Sequence, residues 1–385
     1  MSKMYNYSKK KIRHSVEQVG EIQPDLQLLK ILIEKQSPSN TKEEMQFVQW
    51  LAQYCLNKGY KVEKDSNRNI YVTKGATEIY PCIVAHTDTN QDLHSSLELV
   101  QIGDLLIGWN KITATQCGAG FDDKIGILIA LQCLEIFDNI KVFFPSLEEV
   151  GYVGSSKANM EFFENVGYCF QPDRNSGKND ICTFTNGIDT ADSKFINSLR
   201  PILDIYDYKE ASGVGTDIGE LKWKGLKCSA VNVSCGYFRE HSDEEVCSVS
   251  LLHNCLNFIV SSIEHIGETF FHHEAETKTS KKNKNYNGYY DGFYGAYEDF
   301  TEELNAVDEV TDVWYVQVKN ELIQASLDER EFLDYEHCPD CIIALNVVSW
   351  TDEQDTIEWQ CNGCRTKYIS MHVSNKSNQT NSGQW

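Results

Sequence analysis

The sequence predicts an α/β fold in which helices cover both faces of a sheet. Apolar runs that are typical of buried strands occur at residues 79–85, 142–147, 166–170 and 228–234. Segments with the apolar spacing of a helix occur at residues 122–137 and 247–266. Because strands and helices alternate along the chain, we expect them to pack in layers around one sheet.

The N-terminal part is predicted to hold a tail, residues 1–20, followed by a pair of helices. Thr41 and Glu44 have the spacing of a capping box, which predicts that the second helix begins there. The inner face of this helix is predicted to carry Met45, Val48, Leu51 and Ala52. Strand-like runs follow near residues 60–62 and 69–72.

The size and composition of the chain fit a globular protein. Its 385 residues suit one large domain with an appendage, and its 41% hydrophobic content is enough for a core. The sequence shows neither the apolar segment of a secretion signal nor an apolar run long enough to cross a bilayer. We therefore expect a cytoplasmic protein without a membrane partner. Four of its fourteen cysteines are expected to bind zinc and the others to lie in the core.

The net charge of −22 is concentrated towards the C-terminus. Residues 291–360 hold nineteen Asp and Glu residues against Lys319 and Arg330, a net charge of −17. This balance argues against a nucleic-acid partner, because phosphate binding needs Lys and Arg to release counterions. A well-solvated surface and a surface for a basic partner both explain the acidity.

The same region has a cysteine spacing that is typical of a zinc ribbon. Two Cys-x-x-Cys pairs, separated by nineteen residues, are formed by Cys338, Cys341, Cys361 and Cys364. Thiolates on two such turns converge on one tetrahedral zinc ion. Between the pairs, an alternating apolar run predicts hairpin strands that contain Ile343, Leu345, Val347 and Trp350. Because four thiolates leave no open coordination position, this zinc is expected to stabilise or dock, not to catalyse.

A change of composition at residues 271–300, which are rich first in lysine and then in glycine and tyrosine, predicts a linker. It separates a main domain, residues 21–270, from an acidic C-terminal region, residues 301–385. The ribbon spans residues 338–364 within that region.

Polar residues occur where the predicted strands of the main domain end. They comprise two histidines, His86 and His241, and the carboxylates Asp88, Asp122, Glu148, Glu149 and Asp173. Singly they have ordinary explanations, such as a helix cap for Asp122 or a charged turn for the two glutamates. Carboxylates at the ends of apolar strands are costly, however, unless they are paired or bind a metal. Together these residues predict a site for two divalent ions at the carboxyl ends of the strands.

Five elements resemble, in order and spacing, the co-catalytic zinc aminopeptidase clan. They are HTD at 86–88, GAGFDDKIG at 118–126, EEVGYVGS at 148–155, Asp173, and GTDIGEL with a later YFREHS at 237–242. The sequence most resembles the glutamyl and deblocking aminopeptidases, with peptidase T and the smaller leucyl aminopeptidases as more distant relatives. The resemblance covers residues 24–266. It implies a zinc-aminopeptidase-like three-layer fold with a mixed central sheet, beside the small β zinc ribbon.

The resemblance also implies roles for these residues. The metal ligands would be His86 and Asp173 for one ion, Glu149 and His241 for the other, and Asp122 as the bridge. Glu148 would be the general base that serves a metal-activated water, and Asp88 would orient His86. The ions would be zinc, with cobalt or manganese as alternatives, and the substrate a peptide. A cis peptide bond next to Asp123 is typical of the clan.

Two assignments rest on less distinctive segments. Asp173 has Asp180 and Asp189 as alternatives. Thr216 and Asp217, in GTDIGEL, would line the substrate cleft by the resemblance, and Asp217 would meet the free ammonium group of a peptide. The same segment also fits the N-cap of a helix.

Two connections are shorter than in the relatives. The connection from His86 to Asp122 is too short for their inserted domain, and the one from Asp173 to His241 is too short for a lid domain. Substrate preference and assembly therefore do not follow from the resemblance, and an oligomer is left open.

The hypothesis is a metal-dependent exopeptidase, specifically an aminopeptidase. Two alternatives stay open: an N-acyl amino acid deacylase or amidohydrolase, and a non-catalytic binding scaffold. The complete set of ligands favours an enzyme.

Overall fold

The computed structural model describes residues 21–175, 178–185 and 187–275, and the backbone of residues 345–351, 356–361 and 367–371. In chain order, the strands of the main body are β1 (Lys61–Lys64), β2 (Ile70–Lys74), β3 (Tyr80–Val84), β4 (Leu97–Ile102), β5 (Leu105–Asn110), β6 (Thr115–Cys117), β7 (Ile140–Phe144), β8 (Val166–Arg174), β9 (Asp180–Thr185), β10 (Ile188–Asp189), β11 (Lys209–Gly213), β12 (Ser229–Ser234), β13 (Tyr237–Phe238) and β14 (Val246–Ser248). The helices are α1 (Leu26–Glu34), α2 (Lys42–Asn57), α3 (Phe121–Ile136), α4 (Val153–Ser156), α5 (Ser193–Tyr206), α6 (Asp217–Trp223) and α7 (Val249–Ile266), with a 3₁₀ turn at Met160–Phe163.

Nine strands form a mixed sheet in the order β1-β2-β7-β3-β8-β12-β9-β10, with β11 beside β9. Strands β7, β3, β8 and β12 are parallel. Strands β2 and β9 run antiparallel to β7 and β12. The carboxyl ends of the four central strands therefore meet at one edge of the sheet. This arrangement confirms the predicted mixed central sheet.

Helices cover both faces of this sheet. Successive residues of a strand point to opposite faces, so each central strand contributes side chains to both layers of helices. Ile83 of β3 packs in a large apolar cluster with helices α1, α2, α3, α5 and α7. Its neighbours Cys82 and Val84 pack on the other face with α6 and the 3₁₀ turn. The two apolar clusters give the three layers that the sequence predicts.

A second, five-stranded sheet was not predicted. Its strands pair in the order β13-β14-β5-β4, with β6 beside β5. Three of these strands fill the connection between His86 and Asp122, which the sequence analysis left without structure. Strand β14 also takes the first residues of the helix predicted at 247–266. Helix α7 begins two residues later, where the Ser248 hydroxyl accepts a hydrogen bond from the Leu251 N–H at 3.2 Å.

The cap of α2 is as predicted, since the Thr41 hydroxyl accepts a hydrogen bond from the Glu44 N–H at 3.2 Å. The predicted inner face is wrong at Met45, which is 45% exposed. Glu44 takes the buried position instead and pairs with Arg68 at 2.9 Å. The periodicity predicted a buried Met45, but the buried position belongs to Glu44, a carboxylate that can be buried because it is paired with Arg68.

The cysteines of the main body follow the prediction, because all ten described cysteines are buried free thiols. No helix of the described residues is long and apolar enough to cross a membrane.

The described strands near the C-terminus form an antiparallel three-stranded sheet of β15 (Leu345–Thr351), β16 (Thr356–Cys361) and β17 (Lys367–Met371). The predicted hairpin is present in β15 and β16. Three of the ribbon cysteines, Cys338, Cys341 and Cys364, lie outside the described residues, as does the side chain of Cys361. The zinc ribbon and the domain boundaries therefore stay predictions.

Candidate metal centre

The first group of candidate ligands lies at the carboxyl edge of β3 and β8. His86 follows β3 and is 1% exposed. Its Nε2 atom is 2.9 Å from Oδ1 of Asp122 and 3.5 Å from Oδ1 of Asp173. The candidate donor atoms of these three residues lie within 4.8 Å of one another. These residues are up to 87 positions apart in the sequence, and the pairing of strands in the sheet brings the imidazole and the two carboxylates together.

The second group shares Asp122 with the first. Nε2 of His241 is 3.4 Å from Oδ2 of Asp122 and 2.8 Å from Oε2 of Glu149. Asp122 therefore presents one carboxylate oxygen to each group. A further set, formed by His86, Glu148 and Glu149, also has donor atoms within 4.8 Å of one another.

Asp173 lies within β8, because this strand is longer than predicted and carries the side chain into the site. The two alternatives lie elsewhere. Asp180 pairs with Arg174 at 2.7 Å, and Asp189 is exposed on β10. The structure brings Asp173, and neither alternative, to His86.

Two residues that support Asp173 were missed by the sequence analysis. The Gln171 amide donates hydrogen bonds to Asp173 at 2.8 Å and to Asp217 at 3.2 Å. The Tyr237 hydroxyl donates to the other oxygen of Asp173 at 3.2 Å. Gln171 had a weak signal, because residues two apart on a strand face the same side. Tyr237 had none.

Asp88 contacts more of the site than the resemblance implies. Nδ1 of His86 lies 3.0 Å from the backbone oxygen of Asp88 and 3.6 Å from its carboxylate. The carboxylate instead accepts hydrogen bonds from the N–H groups of Glu148 at 2.9 Å and Glu149 at 3.3 Å. The Ser39 hydroxyl donates to it at 2.7 Å. One residue therefore holds both the imidazole and the two glutamates.

The Thr216 hydroxyl caps helix α6 by accepting a hydrogen bond from the Gly219 N–H at 3.2 Å. Asp217 is the first residue of that helix and is fully buried. Its Oδ2 atom accepts from Gln171, whereas no well-aligned hydrogen bond reaches its Oδ1 atom, although the nearby Ser155 side chain partly offsets the effect of burial on the pKa of this carboxyl group. The N-cap role therefore belongs to Thr216, and Asp217 keeps one buried acceptor unused.

Solved structures were compared with this arrangement of sheet and site. Aminopeptidase PepT from Bacillus cereus is 13% identical, with a TM-score of 0.54 over 64% of this chain and 100% of its own. A tripeptidase from Staphylococcus aureus is 11% identical, with a TM-score of 0.50 over 64% of this chain and 99% of its own. The chain has the fold of these peptidases. No protein-family model and no curated protein matched the sequence.

The peptidase fold places the start of α3 directly at the site. The peptide bond between Asp122 and Asp123 is cis, as the resemblance implies. Glu245 accepts the Asp122 N–H at 3.1 Å. Glu245 was missed by the sequence analysis, because nothing in its local sequence distinguishes it from the neighbouring Asp243 and Glu244.

The carboxylates at this edge of the peptidase fold are strongly perturbed. Burial raises the pKa of Glu148 well above its usual value, that of Glu149 to about 7 and that of Asp173 to about 6. Burial alone lowers the pKa of His86, but the carboxylates of Asp173 and Asp122 outweigh it and raise that pKa well above the usual value. Acidic groups thus crowd together away from water, and a bound cation would relieve their repulsion.

The residues present fit a divalent metal. Imidazole nitrogens and carboxylate oxygens are the donors that zinc, cobalt and manganese accept in proteins. Oε1 of Glu149 is buried and has no hydrogen-bond partner, which leaves it free to coordinate. A buried cluster of this kind supports metal binding, whatever the number of ions.

Proposed function

We propose that this protein is a metal-dependent aminopeptidase. The observation that carries the proposal is the sharing of Asp122 between two groups of donor atoms, each containing one histidine and one further carboxylate. A carboxylate with one oxygen towards each group suits a pair of ions that act together. The fold, which is that of known peptidases, supports the same reaction class.

In this proposal His86 and Asp173 bind one ion, Glu149 and His241 bind the other, and Asp122 bridges them. The ions are zinc, with cobalt or manganese as alternatives. When bound, they would polarise the scissile carbonyl and lower the pKa of the attacking water. The chain itself supplies the ligands, their orientation and the groups that move protons.

Glu148 is the proposed general base. Its raised pKa suits a carboxylate that takes a proton from water and then gives it to the departing amine. Asp88 fixes the backbone of Glu148 through a hydrogen bond of 2.9 Å. The base is therefore held by the same residue that holds the neighbouring ligand Glu149.

Asp217 favours an aminopeptidase over a deacylase. A buried carboxylate oxygen without a partner costs free energy, and a positively charged donor would repay it. The α-ammonium group of a peptide is such a donor, whereas an N-acyl group carries no charge. Burial raises the pKa of Asp217 to about 7, so that an arriving cation would also favour the ionised form.

The test compares aminoacyl anilides with their N-acetylated counterparts, after mild chelation and after metal is restored. We expect metal-dependent hydrolysis of the free-amine substrate alone. Asp217→Asn should lower kcat/KM for this substrate by ~10–100-fold, which is the range for a lost hydrogen bond to a charged group. The exposed Asp207→Asn serves as the control and should have no effect.

Other outcomes point to the alternatives. Preferred hydrolysis of the N-acetylated substrate would make the protein a deacylase. Metal binding without hydrolysis of either substrate would favour the binding scaffold.

A further inference from the structure

The loop before Asp122 leads into helix α3, and no side chain of this loop caps the N-terminus of the helix. Gly120, the N-cap residue of α3, has a φ of 73° and no capping side chain. The first N–H groups of a helix have no partner within the helix, so buried ones need an acceptor from elsewhere.

Glu245, which lies 125 positions after Gly120 in the sequence, supplies that acceptor. One carboxylate oxygen accepts hydrogen bonds from the N–H groups of Ala119 at 3.0 Å and Gly120 at 2.7 Å. The other oxygen accepts the Asp122 N–H at 3.1 Å. The Glu245 side chain is fully buried, and in its ionised form it would also suit the positive end of the helix dipole.

Further contacts bind the segment of Glu245 to this loop. The Gln91 amide donates to the Glu245 carboxylate at 3.3 Å, and the Gln116 amide donates to its backbone oxygen at 3.2 Å. Asp243 accepts the Gly118 N–H at 3.1 Å. A Cβ atom at Gly118 would lie 2.3 Å from Cγ of Gln91, which shows how closely the surrounding groups approach the loop. Buried and partly buried hydrogen bonds therefore join the loop to residues 243–245.

The histidine that precedes this segment has little packing of its own. The His241 side chain is 41% exposed, whereas His86 is 1% exposed. His241 stands four residues before Glu245, and Asp122 is itself a hydrogen-bond partner of Glu245. The spacing between His241 and Asp122 therefore depends on the backbone segments that Glu245 joins.

We propose that Glu245 is a positioning residue for one half of the metal centre. It holds Asp122 and His241 at the spacing that binds the ion shared with Glu149. Losing Glu245 should weaken that ion most, because both Asp122 and His241 would shift, and should weaken the ion of His86 and Asp173 less, because only its shared ligand Asp122 would move. This inference rests on the proposed two-ion site.

The test is a titration of the full-length protein with Mn²⁺ after mild chelation, with free Mn²⁺ followed by electron paramagnetic resonance. Manganese is chosen because thiolate sites such as the predicted ribbon favour zinc, whereas imidazole and carboxylate sites accept manganese. The variants are Glu245→Ala, Glu245→Gln and Glu245→Asp. The control is Glu244→Gln, an exposed neighbour whose side chain pairs with the exposed Arg239 at 3.0 Å.

We expect two ions in the wild type. In Glu245→Ala one dissociation constant should rise by ~10–100-fold, the usual range for a residue that orients metal ligands, and the other should change much less. Glu245→Gln should lie between the alanine variant and the wild type, because its amide keeps one oxygen acceptor. Saturating Mn²⁺ should restore kcat to each variant, which a loss of the catalytic base would not allow.

Several results would overturn the proposal. Both ions could weaken equally, together with a lower melting temperature of the metal-free protein, which would assign Glu245 a purely structural role. Folded variants could keep both affinities, or all three substitutions could unfold the chain. A wild type that binds fewer than two ions would instead refute the proposed two-ion site, and the two failures are thereby distinguished.

Discussion

The two halves of the metal centre differ in how the protein holds them. His86 and Asp173 are buried on central parallel strands and their ends, with Gln171 and Tyr237 behind Asp173. Glu149 and His241 lie on loops, and the His241 side chain is 41% exposed. Burial and side-chain hydrogen bonds hold the first half, whereas the second half depends mainly on backbone hydrogen bonds to Asp88 and Glu245. We therefore expect an ion in the second half to exchange with solvent faster than one in the first.

The largest expected effect tests whether Glu148 belongs to either half. Glu148→Gln should keep both ions and lose ~10²–10⁴-fold in kcat, because it removes the proposed base and no ligand. Glu149→Gln, the matched neighbour, should instead lose affinity for one ion. Metal analysis and steady-state kinetics check both variants. Loss of metal in Glu148→Gln would make Glu148 a ligand, as in the set it forms with His86 and Glu149, and would break the comparison.

The next effect is on the stability of the metal-free protein. His86→Ala leaves two buried carboxylates without their imidazole partner and should lower the free energy of unfolding by ~3–5 kcal/mol. His241→Ala removes a side chain that is 41% exposed from the buried carboxylates of Asp122 and Glu149, and should cost less, about 1–2 kcal/mol. Urea unfolding of both chelated variants measures the difference. Equal losses would show that burial does not separate the two halves.

The pH dependence of the metal-free protein is a third measure. Burial raises the pKa of Glu149 to about 7, that of Asp217 to about 7 and that of Glu245 to about 8. Between the usual carboxyl pKa and these values, the folded chain keeps protons that the unfolded chain has released. The free energy of unfolding should therefore fall as the pH rises from about 4.5 to 8.

Denaturant unfolding at pH 5 and pH 8 checks this dependence. Added metal should oppose it, because the ligands bind metal in their deprotonated form and the stabilisation by metal grows with pH. A metal-free protein that becomes more stable towards pH 8 would contradict the direction of these pKa shifts.

The smallest expected effect concerns the predicted ribbon. The double variant Cys361→Ser/Cys364→Ser should lose one tightly bound zinc ion per chain, while kcat on an aminoacyl anilide stays within about twofold, because four thiolates leave no position for substrate. Elemental analysis after gel filtration and an activity assay test the two parts separately. A loss of turnover at unchanged metal content in the main body would assign the ribbon a part in catalysis.

The four central parallel strands could be predicted from sequence because they are continuous apolar runs, as in residues 79–85, whereas β9, β10 and β11 of the same sheet were not predicted. The second sheet was not predicted, because most of its strands are half-exposed or very short; the exception is Leu105–Asn110, which is buried over its last five residues and was missed all the same. Leu97–Ile102, for example, alternates apolar residues with Glu98 and Gln101 and is intermediate or exposed throughout. Helix α5 was missed as well, and it carries Pro201 in its interior, a residue that usually marks a helix end.

The candidate site shows a similar division. The residues of the co-catalytic resemblance come together in the structure, since their strand-end positions define one edge of the sheet. Their supporting residues do not have such a signal. Glu245 and Tyr237 act on groups more than sixty positions away, so their partners exist only in the folded chain. The fold supplies these contacts, and neither spacing nor periodicity could have predicted them.

The wide spacing of the candidate ligands has a consequence for refolding. Residues 86, 122, 149, 173 and 241 meet only after β3, β7, β8 and β12 have paired and the segment after β12 has returned to the loop before α3. Contacts between such distant parts of a chain form slowly, because closing each loop costs entropy before the stabilising contacts can form. An ion present during refolding should therefore not speed the early steps. Its uptake should coincide with the slowest phase, and metal binding would then serve as a kinetic probe for the arrival of the native state.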